Sequence, residues 1–202
     1  MNQRKTAADR KIDISRSALD LAFEVGPDQV TTGMIADRLG LTQPAVYKHF
    51  PRKEDIWLAV GDFLLARVAG NIAHAEAAPL APEARLRLLV MQHLQLVRDN
   101  PALPEIMVMR GATATHETLR SQMQTIMASF RAVLVRAVTE AVAQQTFRRD
   151  LDPRDASMLI LGIIQSLALR MLLARDPAIL TQDGERLLDL LLSGFAQPEE
   201  NL

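Results

Sequence analysis

Between positions 42 and 50 the chain reads Thr-Gln-Pro-Ala-Val-Tyr-Lys-His-Phe, polar and cationic side chains set around two apolar anchors. Val46 and Phe50 stand four residues apart, so on a helix they share one face and turn inward. The other side then presents Thr42, Gln43, Ala45, Tyr47, Lys48 and His49. The carboxamide of Gln43 can donate and accept along one edge, which suits adenine; the small Ala45 can meet a thymine methyl; Lys48 neutralises phosphate. This is recognition chemistry, suited to base edges and a phosphate backbone.

Bond-making chemistry finds little support. The sequence has no Gly-rich phosphate loop and no nucleophile elbow. The four histidines, His49, His74, His93 and His116, show no paired metal spacing, and there is no cysteine to supply a thiolate. We therefore expect no enzyme, no metal and no cofactor.

A recognition helix must be held by others. Thr31 and Thr32 are candidate N-caps for a helix carrying Ile35, Ala36 and Leu39 inward. Gly40 ends it, Leu41 anchors the turn, and Thr42 with Pro44 starts the next helix. Two short helices joined this tightly form a helix-turn-helix, whose second helix enters a major groove. The expected DNA-contacting set is Thr31, Thr32, Thr42, Gln43, Pro44, Ala45, Tyr47, Lys48, His49 and Lys53. Charge agrees. Residues 1–53 carry nine Lys/Arg against six Asp/Glu, including all four lysines, whereas residues 54–202 carry fourteen against eighteen. A basic pole on a chain of net charge −1 suits DNA phosphates.

The same residues carry a resemblance. The chain is similar to the TetR (tetracycline repressor) family of bacterial transcriptional regulators over about residues 10–60. The matching features are Thr31/Thr32, Ile35-Ala36, Gly40, Gln43-Pro44, Tyr47-Lys48-His49-Phe50 and Lys53-Glu54. It departs from the family pattern where Leu21 is followed by Ala22-Phe23, where Gly26 is followed by Pro27, and at Gly33. The resemblance implies an all-α homodimer on a palindromic double-stranded operator. It implies a repressor released by a small effector, with the last two helices pairing as a four-helix bundle.

Periodicity predicts about nine helices and almost no strand. Beyond the helix-turn-helix pair they fall near residues 7–25, 54–70, 83–98, 104–111, 116–145, 153–175 and 184–195. We expect a DNA-binding domain over residues 1–53, a linking helix over 54–70, and a helical effector-binding and dimerisation domain over 71–202. The last two long helices are apolar nearly all round, which calls for burial on two sides and hence a second subunit. Leu161, Gln165, Leu188 and Leu191 are the expected interface residues. Seven methionines lie between Met91 and Met171, and methionine adapts to apolar ligands. Met91, His93, Arg110, His116, Met123, Met127 and Gln165 are the expected effector-binding residues, for a mostly hydrophobic molecule. The alternative is an effector-independent DNA-binding protein of the same fold, acting in cell division or chromosome organisation. The N-terminus lacks an apolar signal core, and the apolar run 158–173 reads as too short for a membrane span. We expect a cytoplasmic protein with no membrane partner.

Overall fold

A computed structural model describes residues 6–108 and 114–197. Its helices are α1 (Ala7–Val25), α2 (Thr32–Leu39), α3 (Gln43–His49), α4 (Lys53–Ala77), α5 (Pro82–Asp99), α6 (Leu103–Val108), α7 (Ala114–Ala143), α8 (Pro153–Ala174), α9 (Ile179–Gln182) and α10 (Gly184–Phe195). All nine expected helices are present, and the four-residue α9 after Pro177 is added. A 3-10 turn, Pro27–Gln29, follows α1. The expected linking helix is longer than its pattern suggested: α4 runs on through the alanine-rich stretch to Ala77, because alanine favours helix wherever nothing breaks it.

The residues form two compact units, 1–66 with 100–124 and 67–99 with 125–202. The expected linker, 54–70, brackets the point in α4 where the chain passes from the first to the second.

In the first unit, Thr6 and Asp9 form a capping box that starts α1. Ile14, Ala18, Leu21 and Ala22 line its buried face, while Val25 is 43% exposed at the helix end. Against that face pack Ile35 and Ala36 of α2 and Val46 of α3, with Phe50 closing the layer. The turn between α2 and α3 depends on Gly40, at φ 63° and ψ 36°. That left-handed conformation lets the Leu41 N–H reach the Ala36 carbonyl at 2.8 Å, closing the helix end.

In the second unit, α5 packs against α9, α10 and α8. Leu86, Leu89, Val90, Leu94 and Val97 of α5 and Ile160, Ile164, Leu167 and Met171 of α8 are buried. Asp152 caps α8, accepting the N–H of Arg154 at 2.7 Å and of Asp155 at 3.2 Å, with Pro153 at the first helical position. Two non-glycine residues stop long helices in the left-handed region: Gln145 (φ 61°) after α7 and Arg175 (φ 53°) after α8. Phe147 then makes an isolated antiparallel bridge to Ala196, with the Phe147 and Phe195 rings edge-on at 5.7 Å.

The apolar run 158–173 belongs to a helix of 22 residues, so α8, like α4, is long and apolar enough to cross a membrane by length and composition.

Gly33 and Gly40 should respond oppositely to alanine. Gly33 lies inside α2, and a Cβ there meets only Thr31 Oγ1 at an ordinary 3.7 Å. Gly33→Ala should stabilise by about 0.5 kcal/mol. Gly40→Ala meets no atom but must hold a left-handed backbone, and should cost about 1–2 kcal/mol. Thermal melting of the two single variants checks both signs.

Candidate nucleic-acid interface

Thr31 is the N-cap of α2, its hydroxyl accepting the Met34 N–H at 3.2 Å. Thr32, one residue on, shares a helix face with Ile35 and Ala36 and is only 5% exposed. This differs from the expected surface contact: the side chain points at α3, where its hydroxyl bonds. Gln43 Nε2 donates to Thr32 Oγ1 at 2.8 Å, and Thr32 Oγ1 donates to the Tyr47 hydroxyl at 3.2 Å. The one-turn spacing from Thr32 to Ile35 and Ala36 was enough to place Thr32 inward; its capping propensity hid that.

On α3, Gln43, Pro44, Tyr47 and Lys48 are exposed, as is Thr42 just before it, while Ala45 and His49 are half-buried. Thr42 stands at the N-cap position but its side chain makes no capping bond, contrary to expectation. Pro44 occupies the first turn, where no N–H is needed. Lys53, half-buried, opens α4.

Charges around this surface divide into spent and free. Arg38 forks onto Glu24 at 2.9 and 2.6 Å, tying α2 to α1. The hydrogen bonds from Arg38 hold the Glu24 carboxyl below the usual carboxylate range. Burial raises the neighbouring Asp20, with Arg38 opposing. Arg52 is bound to Asp55, whose carboxylate also accepts the Arg52 backbone N–H at 3.0 Å. Lys11 lies over the Phe50 ring, 5.4 Å from its centre. Lys48 and Lys53 have no acidic partner among the described residues, which leaves their ammonium groups available to an external anion.

The described residues of the expected effector set fall in both units. Met123 belongs to the first unit; Met91, His93, Met127 and Gln165 belong to the second. Met123 is buried, Met91 and Met127 are half-buried, and Gln165 is exposed on α8, so it lines no interior of its own unit. Arg110, and the side chain of His116, lie outside the described residues. His93 is 4% exposed and stacks on Phe130 at 4.4 Å. Its Nδ1 has no hydrogen-bond partner, and burial lowers its pKa to about 4. Two cavities of the second unit lie elsewhere. An open polar one of about 260 Å³ is lined by Arg67, Asn71, Gln92, Gln95, Leu96 and Asp99. A smaller one of about 40 Å³ sits over Leu89, Val133 and Ala137, flanked by the ion pairs Arg85–Glu140 and Arg136–Glu76.

One expected dimer residue, Leu188, needs a correction. Leu188 is fully buried against its own subunit, since it lies on the same face of α10 as Leu192 and Phe195. Leu161 and Leu191 are half-buried. The large apolar side chains of α8 and α10 left in solvent are Met158, Leu159, Leu169 and Leu173 of α8 and Leu190 of α10, at 54–79% exposure. Sequence reading missed them because a helix apolar all round gives no phase.

A capped eight-residue helix, a left-handed glycine and a seven-residue helix with a polar and basic outer side make a helix-turn-helix DNA reader. Comparison with known proteins agrees. Residues 14–60 match the bacterial regulatory proteins of the tetR family, and residues 82–183 match the tetracyclin repressor-like C-terminal domain. The chain belongs to the tetR family and is a DNA-binding transcriptional regulator. It is 47% identical over 53 residues to the class A tetracycline repressor of transposon 1721 from Escherichia coli, covering 26% of this chain and 24% of that repressor. It is 27% identical over 142 residues to the nucleoid occlusion factor SlmA of Enterobacter sp. strain 638, covering 69% and 72%. Its fold matches the transcriptional regulator FadR of Bacillus subtilis, solved with stearoyl-CoA, at a TM-score of 0.68 and 22% identity over 91% of this chain and 98% of that one.

His93 gives a pH-dependent stability. Unfolded, its imidazole takes a proton near pH 6.5; folded, it stays neutral down to about 4. The unfolded chain therefore binds the extra proton in this window, and stability falls as pH drops from about 6.5 to about 4. The loss should reach about 3 kcal/mol from this residue. Denaturant unfolding across that range should show it, and His93→Phe should flatten that part of the profile.

Proposed function

We propose that the chain binds a palindromic operator as a homodimer, one α3 per half-site, and represses by excluding polymerase. The observation that carries this is the exposed surface of α3, with Gln43, Tyr47 and Lys48 outward above the buried Val46. In this reading Thr31, Thr42, Gln43, Pro44, Ala45, Tyr47, Lys48, His49 and Lys53 face the duplex, with residues 1–53 as the reading domain and 71–202 as the effector and dimer domain. The second copy covers the exposed apolar side of α8 and α10. On α8 that side steps from Met158 through Gly162, Ser166 and Leu169 to Leu173, a helical spacing with small residues at its centre that allow close approach. A protein partner rather than lipid suits a DNA-binding regulator carrying these helices.

A small, mostly hydrophobic effector would release the operator by preferring the non-binding state. The buried, unpartnered His93 supports such a site, as does the stearoyl-CoA carried by the fold-related FadR. The SlmA relatives favour the second reading, an effector-independent DNA-binding protein. A shift in melting temperature on adding an acyl-CoA, paired with loss of operator binding, would decide for the first reading.

In-vitro selection from random duplex DNA tests the core claim: an enriched palindrome is expected, and no enrichment would overturn it. On the selected site, Lys48→Ala should weaken all sequences alike and reduce the salt slope by about one. Gln43→Ala should relax preference at one position, at about 1–3 kcal/mol.

For the dimer, Leu190→Glu or Leu169→Glu should place an unpaired charge in the interface, at several kcal/mol. Sedimentation should show monomers with operator binding lost. A wild-type protein that is monomeric at micromolar concentration would refute the arrangement.

A further inference from the structure

We infer that Thr32 is a positioning residue for base recognition: its buried hydroxyl fixes which way the Gln43 carboxamide faces and joins that amide to the Tyr47 phenol. The inference rests on reading α3 as the DNA-facing helix. A threonine hydroxyl has one hydrogen and two lone pairs. Here the hydrogen goes to the Tyr47 oxygen at 3.2 Å, and a lone pair accepts Gln43 Nε2 at 2.8 Å. The chain of bonds therefore runs one way, from Gln43 to Thr32 to Tyr47. Because the hydroxyl proton is committed to Tyr47, Thr32 can only accept from the amide, and the amide nitrogen must face it.

Two consequences follow from that polarity. The Gln43 Oε1 and its second N–H remain together on one free edge. That pair matches adenine, which offers an N6–H donor beside the N7 acceptor. It does not match guanine, whose N7 and O6 are both acceptors, so the fixed oxygen would face another oxygen or nitrogen lone pair. An unfixed glutamine could turn and donate to guanine instead; the bond to Thr32 removes that freedom before DNA arrives. Tyr47, having accepted from Thr32, keeps its own proton to donate outward, and at 42% exposure it is free to give it to a phosphate. Base reading and backbone contact are thus set by one hydroxyl that is itself only 5% exposed. Residues of this kind leave no contact of their own with the base, yet decide its identity.

The test is the base preference at the one half-site position that Gln43→Ala relaxes. Wild type should prefer adenine over guanine there by at least about fivefold. Thr32→Val keeps the shape and removes the hydroxyl; the preference should fall below about twofold with the salt slope unchanged, since no charge is lost. Thr32→Ser restores the hydroxyl and should restore the preference, which a merely structural role for this side chain would not require. Tyr47→Phe is the second arm, useful if Thr32→Val does not fold. It removes the acceptor that commits the Thr32 proton, lets the hydroxyl donate to an inverted amide, and should also lower the adenine preference. Folded Thr32→Val or Tyr47→Phe protein with the wild-type ratio would overturn the inference while leaving the DNA reading intact, as would a preferred base other than adenine. Absence of any enriched sequence would overturn both.

Discussion

Helices of eight and seven residues are too short to persist alone in water, because the cost of nucleation is spread over too few bonds. α2 and α3 exist because Ile35, Ala36, Val46 and Phe50 are buried with the inner face of α1. That shared burial is the constraint on which the reading surface depends. It fixes the rotation of α3, so that with Val46 inward, Gln43, Tyr47 and Lys48 must be outward. It fixes the separation of α2 and α3, which brings Thr32 within hydrogen-bonding distance of Gln43. The left-handed Gly40 sets the angle between the two helices. Surface recognition is therefore the outer side of a packing problem solved by a few aliphatic residues.

The sequence was most legible where local chemistry and packing ask for the same residue. Gly40 and the apolar step from Val46 to Phe50 each have one structural use, and each takes it. Thr32 was misread because threonine caps helices and also bonds sideways; only the partner on α3 decides between these. Leu188 was chosen from a helix whose inner and outer sides are both leucine, so composition held no phase information. α10 became readable only once Leu192 and Phe195 were seen facing its own core. The effector residues were the least legible. A pocket is a property of several elements at once, and a methionine carries no mark that distinguishes a lining from a filling.

Polar groups are handled differently along the chain. Near the reading surface, arginines Arg38 and Arg52 are tied to carboxylates close by in the fold, leaving lysines as the unspent cations. Lysine is a mobile point charge, which suits contact with a backbone that carries no sequence information. In the second unit, His93 is buried without a hydrogen bond, an arrangement that costs stability unless something else uses it.

The two units also stop their helices by different means. The first uses glycine at the left-handed positions Gly26 and Gly40, where the backbone is at ease. The second uses Gln145 after α7 and Arg175 after α8, side chains that make the same conformation uphill. These ends adjoin the segment that bridges Phe147 to Ala196 and the loop that leads into α9. Among the described residues, the non-glycine left-handed positions thus fall at helix ends of the second unit, while glycine holds those of the first. An engineer seeking a more stable protein would place glycine at those two helix ends first and leave the reading surface untouched.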